Sequence, residues 1–190
     1  MMPNNAPSTE PVPSAFAYRV RRRTQPLIDY EQGGAALRDA SKGYNVKLWT
    51  LEYRDGGLFL SAEDVDESLL FSRSGVTRVG LGFTQGMVPV VAFEDGDGAW
   101  IRYYDNNSSD FVLLQLPSGS RDTCCTLDDH RLSQTSSSDV IVSYLRGTNL
   151  YFVQQRESYA VERQLSSGVS ALTAIGMSVV GRLQFRINKE

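Results

Sequence analysis

The clearest pattern in this sequence is an alternation of apolar and polar side chains that begins at residue 44. Residues 44–53 read YNVKLWTLEY and are rich in β-branched and aromatic residues. A period of two with this composition is typical of a β-strand. The dipeptide Asp55-Gly56 tolerates positive φ and therefore predicts a tight hairpin turn. Two further strands are predicted at 58–61 and 67–72.

Two longer runs of short strands and tight turns follow. The first, at about 76–117, contains predicted strands at 77–84, 88–94, 99–105 and 110–117. The second, at about 138–188, contains predicted strands at 139–146, 149–155, 159–166 and 182–188. Repeated antiparallel meanders are typical of propeller blades or of a sandwich built from internal repeats. The predicted fold is all-β. Because a propeller typically has at least ~4 blades, we expect a partial assembly of blade-like sheets or part of a ring completed by other subunits.

The first 43 residues lack this pattern. Residues 1–17 are rich in Pro, Asn and Ser, a composition that does not form a packed core. A short helical turn is predicted at 35–40. The sequence thus predicts an extended N-terminal arm, 1–43, and a β-rich domain, 44–190. The arm contains a basic run, YRVRRR, whose cations are Arg19, Arg21, Arg22 and Arg23.

Composition narrows the class of protein. Hydrophobic residues make up 41% of the chain and charged residues 22%, which is typical of a globular protein. The net charge of -3 argues against a generally basic nucleic-acid binder. The N-terminal segment lacks a basic region followed by an apolar run, so no signal peptide is predicted. No stretch approaches the ~18 apolar residues of a membrane helix, and we expect synthesis in a reducing cytoplasm without membrane contact.

Both cysteines and the only histidine lie within 121–130, RDTCCTLDDH. Successive side chains of a strand point to opposite faces. If this stretch is extended, Cys124 and Cys125 therefore cannot bind one metal ion together, and zinc ligands are usually more widely spaced. We expect a pair of buried thiols, and neither a metal nor a cofactor is predicted.

The run Asp128, Asp129, His130 also lacks the partners that chemistry needs. A metal site would need further ligands, and a catalytic histidine would need a nucleophile and an orienting group. No G-x-S-x-G motif is present. The glycines of 80–86, GLGFTQG, lack the Lys-Ser/Thr of a phosphate loop and are expected to let a neighbouring strand approach closely. No catalytic residue is predicted.

Charged and aromatic clusters indicate contacts rather than catalysis. The acidic run 62–67, AEDVDE, is expected to be solvated or to meet a basic partner, such as the arm of another copy. Clustered arginines also bind phosphate, but an acidic chain favours protein over DNA as the partner. Four aromatic residues are predicted to anchor the core or an interface, with sugar stacking as an alternative: Trp49, Trp100, Tyr103 and Tyr104.

The stretch 126–165, TLDDHR..Q..SSDVI..YLRG..LYF.QQRESY..E..L, resembles structural proteins of tailed bacteriophages, which are β-rich virion proteins with blade-like repeats. Segments 29–49, 75–93 and 100–105 and the sequence IGM…RLQF near the C-terminus extend the likeness over roughly 29–186. The resemblance implies a polar structural connection between blades formed by Asp128, Asp129, His130 and Arg131. It also implies structural or interface roles for Arg146, Gln155, Arg156 and Glu162.

The resemblance implies a non-enzymatic virion component of the tail, neck or baseplate, assembled in the host cytoplasm. Its partners would be other virion proteins and copies of itself, with the arm used for assembly. One alternative is a receptor-binding or fibre-anchoring module that contacts a host glycan or an adhesin. Another is a hydrolase of cell-wall glycan that uses two carboxylates. The carboxylate pairs available for it are Asp128 with Asp129 and Glu63 with Asp64, and no spacing selects either pair.

Overall fold

The computed structural model describes residues 32–39, 45–62, 65–84, 88–127, 140–177 and 183–189. These residues form fourteen β-strands, with one 3-10 turn at Gln155–Glu157. No α-helix occurs within the described ranges. The prediction of an all-β protein made of antiparallel meanders is therefore confirmed.

The strands form three four-stranded sheets and one two-stranded sheet, and all pairs are antiparallel. Sheet A contains β1 (Gln32–Asp39), β2 (Asn45–Arg54), β3 (Gly57–Ala62) and β4 (Val65–Ser72). Sheet B contains β5 (Arg78–Phe83), β6 (Pro89–Asp95), β7 (Gly98–Asp105) and β8 (Asp110–Gln115). Sheet C contains β9 (Ser120–Leu127), β10 (Val140–Arg146), β11 (Asn149–Gln154) and β12 (Arg163–Ser166). Sheet D contains β13 (Val169–Met177) and β14 (Leu183–Lys189).

The sheets stack in series, with their first strands side by side. Strand β1 lies beside β5, β5 beside β9, and β9 beside β13. Burial falls from the first strand of a sheet to the last, since β5 is buried throughout whereas β4 and β8 are largely exposed. Four-stranded antiparallel sheets stacked through their first strands are similar to propeller blades.

A separate apolar cluster fills each interface between neighbouring sheets. The cluster between sheets A and B includes Leu51, Leu58, Leu81 and Phe93. The cluster between sheets B and C includes Val90, Ile101, Val142 and Tyr144. The cluster between sheets C and D includes Leu145, Leu150, Val169 and Leu172. Strands β6, β9 and β10 therefore send alternate side chains to two different cores.

Glycines bring the inner strands β5 and β9 together. A Cβ atom on Gly80 would lie 3.1 Å from the backbone nitrogen of Cys125. A Cβ atom on Gly82 would lie 2.8 Å from the Cys125 sulfur and 2.9 Å from a methyl carbon of Val140. Larger side chains would push the two sheets apart. The predicted role of these glycines in close strand approach is confirmed.

The structure corrects the prediction of a helical turn at 35–40. Residues Gln32–Asp39 form strand β1, which pairs with β2 from Gln32↔Glu52 to Asp39↔Asn45. A short stretch with weak helical preference adopts the conformation that its pairing partner dictates. The first sheet thus begins inside the segment predicted as an arm, and the remainder of that arm lies outside the described residues.

Two other strand predictions differ from the structure. The predicted second meander, about 138–188, is divided between sheets C and D, and sheet C begins earlier, at Ser120. The strand predicted at 159–166 begins only at Arg163. A tight turn precedes it, in which Ser158 and Tyr159 both have positive φ and the Tyr159 N–H donates to the Gln154 carbonyl at 3.0 Å.

Candidate interaction surface

Sheets A, B and C carry an aromatic ring at the same position of their central hairpin. The hairpins between the second and third strands close at Arg54↔Gly57, Asp95↔Gly98 and Arg146↔Asn149. The residue two positions further along the third strand is Phe59 in sheet A, Trp100 in sheet B and Tyr151 in sheet C. The repeated sheets therefore repeat a side-chain position as well as a backbone pattern.

An arginine lies over each of these rings and is bound to a carboxylate. The distances from guanidinium carbon to ring centroid are 4.4 Å for Arg54 over Phe59, 4.8 Å for Arg73 over Trp100 and 4.5 Å for Arg146 over Tyr151. The carboxylate partners are Glu67, Asp95 and Glu162, in the same order. We call these three sets the arginine–ring groups of sheets A, B and C.

The arginine–ring group of sheet B is half-buried and joins sheet B to the segment that follows sheet A. Arg73 donates to Asp95 at 2.5 Å, and the Trp100 indole N–H donates to the other carboxylate oxygen at 3.1 Å. Burial raises the pKa of Asp95, but the hydrogen bonds from Arg73, the Asp97 N–H and Trp100 outweigh it and hold that pKa below its ordinary value. The Asp95 side chain is only 2% exposed, so this group is structural.

The group of sheet C is also tied into the protein. Arg146 binds both oxygens of Glu162, at 2.9 and 2.6 Å, in the fork geometry typical of strong arginine–carboxylate pairs. The Tyr144 hydroxyl donates to the same carboxylate, and its ring stacks on Tyr151 with centroids 6.0 Å apart. Burial, followed by the contact with Glu162, raises the pKa of Tyr144 above its ordinary value. The structure thus brings Arg146 and Glu162 together.

The group of sheet A differs because it faces outward. Arg54 pairs with Glu67, and the Arg54 side chain is 42% exposed. Beside this ion pair, Leu69 is 53% exposed. A Cβ atom on Gly57 would meet Leu69 at 2.8 Å and the Phe59 ring at 3.0 Å, which places both side chains over this glycine. Phe59 and Leu69 therefore form a small apolar patch on the outer face of sheet A.

The outer face of sheet A carries polar residues where sheets B and C carry buried apolar ones. In sheet B, Val91 and Phe93 point into the cluster shared with sheet A. Counted back from the hairpin, the same positions in sheet C are Val142 and Tyr144, which point into the cluster shared with sheet B. In sheet A they are Thr50 and Glu52, both half-buried. A polar outer face is typical of the terminal repeat of a stacked array.

Strand β4 forms the outer edge of sheet A. Its first five residues, 65–69, are exposed, and no strand among the described residues pairs with its far side. Val65 is 38% exposed. Asp66 and Glu67 make this part of the strand acidic. An open edge with free backbone donors and acceptors can pair with another chain.

A buried polar network joins the inner strands of sheets B, C and D. Arg78 donates to the carbonyl of Thr123 at 3.0 Å and to that of Leu172 at 2.8 Å, and its third contact is Asp122 at 3.4 Å. Burial lowers the pKa of Arg78, but the Cys124 thiol and the nearby carboxylates outweigh this effect and raise it. Glu94 is the other carboxylate, 3.9 Å from Arg78. This network fixes three sheets to one another.

Three of the four aromatic residues singled out in the sequence lie in or beside the cores. Trp49 is half-buried, with its ring 5.4 Å from Phe83, and Trp100 belongs to the arginine–ring group of sheet B. Tyr103 is buried and contacts the Tyr159 ring edge-on. The structure also places the half-buried Tyr104 ring 5.5 Å from that of Phe111.

The cysteine prediction is confirmed. Cys124 and Cys125 are both buried. Cys125 points into the cluster between sheets B and C, whereas Cys124 points into the cluster between sheets C and D. Gln155 and Arg156 lie in the 3-10 turn, where the Gln155 side chain accepts from the Val140 N–H at 3.3 Å. Ten predicted residues lie outside the described residues: Arg19, Arg21, Arg22, Arg23, Glu63, Asp64, Asp128, Asp129, His130 and Arg131.

Sequence reasoning missed the arginine–ring groups. The signal that could have found them is the spacing from each hairpin turn to the aromatic residue of the next strand, which is shared by Phe59, Trp100 and Tyr151. The pairing of Arg73 with Asp95 spans 22 positions in the sequence, and no local pattern reports it.

No known family, curated protein or solved structure matches this chain. Within the described part of the chain, no three His, Cys, Asp or Glu side chains are grouped as metal ligands. A search of the same residues finds no helix long and apolar enough to span a membrane.

Proposed function

We propose that the protein is a non-enzymatic structural component of a tailed-phage particle that assembles through its N-terminal arm and its sheet edges. Its partners would be copies of itself and other virion proteins. The sequence resemblance over roughly 29–186 is one support. The structural observation that carries the proposal is the outer edge of sheet A, where residues 65–69 are exposed and β4 has a free side.

The use of charged side chains inside the protein also supports a structural role. Six described arginines bind carboxylates of the same chain, namely Arg54, Arg73, Arg78, Arg121, Arg146 and Arg163. Two of the carboxylates they engage, Asp95 and Glu162, accept further hydrogen bonds from aromatic side chains. Carboxylates committed in this way stabilise the sheets and are poorly placed for proton transfer.

The experiment that tests the proposal compares the mass of the intact protein with that of a variant lacking residues 1–23. The deletion ends before Gln32 because β1 pairs with β2 and is part of sheet A. We expect a multimer for the intact chain and a folded monomer for the variant, by light scattering and circular dichroism. An unchanged mass, or unimpaired incorporation of the variant into particles, would contradict the proposal.

A second candidate function is recognition of a host glycan, and one observation favours it. The arginine–ring group of sheet A is the one of the three with no sheet stacked on it in the described structure, so it places a half-buried aromatic ring, Phe59, beside a donor, Arg54, and an acceptor, Glu67. Sugars offer apolar C–H faces and hydroxyl groups that match such a set. Substituting Phe59→Ala should then remove binding to host cells without unfolding the protein. If the unmodified protein does not bind host cells or glycans, this candidate is eliminated.

A further inference from the structure

We propose that the free edge of β4 is the docking site for the basic segment 18–23 of a second copy of this chain. The inference rests on the proposed assembly function and deepens it, because it names both surfaces of the contact. The segment would add to β4 as a further antiparallel or parallel strand, so that backbone hydrogen bonds supply affinity and side chains supply specificity.

The receptor surface combines an open edge, apolar side chains and negative charge. Val65 and Leu69 are among the exposed large apolar residues of the described structure. Asp66 is exposed and forms no hydrogen bond or ion pair in the described structure, whereas Glu67 pairs with Arg54. Natural edge strands are usually protected by charge, by a bulge or by a covering segment. A charged edge that also exposes apolar side chains suits a partner of opposite charge.

Charge and sequence pattern identify segment 18–23 as the segment that docks on β4. The described arginines are largely committed to carboxylates of their own chain, so the densest cluster of cations is the run YRVRRR at 18–23. In an extended conformation this run would alternate, with Tyr18 and Val20 on one side and Arg19 and Arg21 on the other. Strand β4 has a register shift between Val65 and Ser68, so Val65 pairs with Ala62 and Leu69 with Phe59, on opposite faces of the sheet. The match between the segment and the strand therefore rests on charge, with arginines of the segment placed beside Asp66.

The proposal requires contact between two copies, and a charge exchange tests this directly. In the first variant the four arginines at 19, 21, 22 and 23 become Glu. In the second, Asp66→Arg reverses the receptor surface. Neither variant should associate well with itself, and we expect each to self-associate about tenfold more weakly than the unmodified protein. An equimolar mixture should regain association, because the acidic segment of one variant fits the basic strand of the other.

A matched control is Asp97→Arg, which reverses an exposed carboxylate on the hairpin of sheet B, where the side chain is 82% exposed. This variant should associate like the unmodified protein. Thermal unfolding of each variant establishes that the sheets are intact. Raising the salt concentration should weaken association of the unmodified protein, since the contact is charged and exposed.

The outcomes separate this inference from the proposed function. Loss of association on deletion of 1–23, together with no effect of Asp66→Arg, would place the arm on another surface and overturn the inference alone. A mixture that stays monomeric would also overturn it, as expected if the segment docked within its own chain. Binding of duplex DNA by the intact protein, with an association indifferent to Asp66→Arg, would reassign the segment to nucleic acid. If the intact protein is monomeric, both the proposed function and this inference are overturned.

Discussion

Replacing Arg78 with Met should destabilise the protein severely. Arg78 is 6% exposed and lies where the inner strands of three sheets meet. Its guanidinium satisfies the carbonyls of Thr123 and Leu172 at 3.0 and 2.8 Å and lies near the carboxylates of Asp122 and Glu94. Methionine has a similar length but no charge and no donors. The substitution removes the cation beside Glu94 and leaves Asp122 with Arg121, 2.9 Å away, as its remaining cation.

The size of this loss in the free energy of unfolding follows from the general behaviour of buried ion pairs. Removing one partner of such a pair lowers the free energy of unfolding by about 3–5 kcal/mol. Domains have about 5–15 kcal/mol in total, so the Arg78→Met variant should be marginally folded. For a chain of this size, each kcal/mol lowers the melting temperature by about 2–4 °C, which gives a fall of about 6–20 °C.

Chemical denaturation measures this loss, with thermal unfolding as a second measurement. The matched control is Arg186→Met on β14, an exposed arginine on the neighbouring sheet, for which we expect a change within about 0.5 kcal/mol. Arg78→Lys should fall between the two, because a lysine keeps the charge but cannot reach both carbonyls and the carboxylate together. A loss below about 1 kcal/mol for Arg78→Met would refute the argument, since it would show that the two carbonyls and the two carboxylates do not depend on the Arg78 guanidinium.

Three further results are expected. Gly82→Ala should lower the free energy of unfolding by about 1–3 kcal/mol in chemical denaturation, because its Cβ would lie 2.8 Å from the Cys125 sulfur. Because the folded-state pKa of Asp95 is depressed, its contribution to stability is present above its unfolded pKa and is lost as the pH falls through the folded value. Asp95→Asn should therefore flatten the fall in melting temperature below about pH 4. Neither Cys124 nor Cys125 should react with a thiol reagent until the protein is unfolded, since both are buried.

The sequence predicted the parts of the fold that depend on local pattern. Asp55 and Gly56 form the expected turn with φ values of 50° and 74°, and the alternating stretches became strands. Strand β1 was missed because nothing within residues 32–39 signals a strand and its pairing with β2 imposes one. Strand β9 was recognised only as a possible extended stretch. Its partner β10 begins at Val140, well after β9 ends at Leu127, and the adjacent Cys124 and Cys125 do not alternate in polarity.

The surface of sheet A could not be predicted because its meaning depends on neighbouring sheets. Phe59 has the same chemistry as Trp100 in the sequence, yet sheet A covers Trp100 whereas Phe59 lies on the outer face. Which aromatic residue is covered depends on the order in which the sheets stack. Periodicity along one strand does not contain this order, and the sequence pointed to Tyr103 and Tyr104 rather than to Phe59.

The polar outer face of sheet A should keep the stack from growing at this end, and it can be converted into an adhesive surface. Substituting Thr50→Val and Glu52→Phe would reproduce the residues that sheet B buries at the same positions, Val91 and Phe93. With the patch at Phe59 they would form a continuous apolar face, and such faces drive association.

We expect this double variant to form multimers even when residues 1–23 are deleted, because the new contact does not involve the arm. Sedimentation would reveal them, and Glu52→Gln in the same background serves as the control that removes the charge without adding apolar surface. A double variant that remains monomeric would contradict the equivalence of the three sheets, since that equivalence identifies Thr50 and Glu52 as the residues that replace a buried interface. Multimers in the Glu52→Gln control would instead show that charge repulsion alone keeps the end of the stack free.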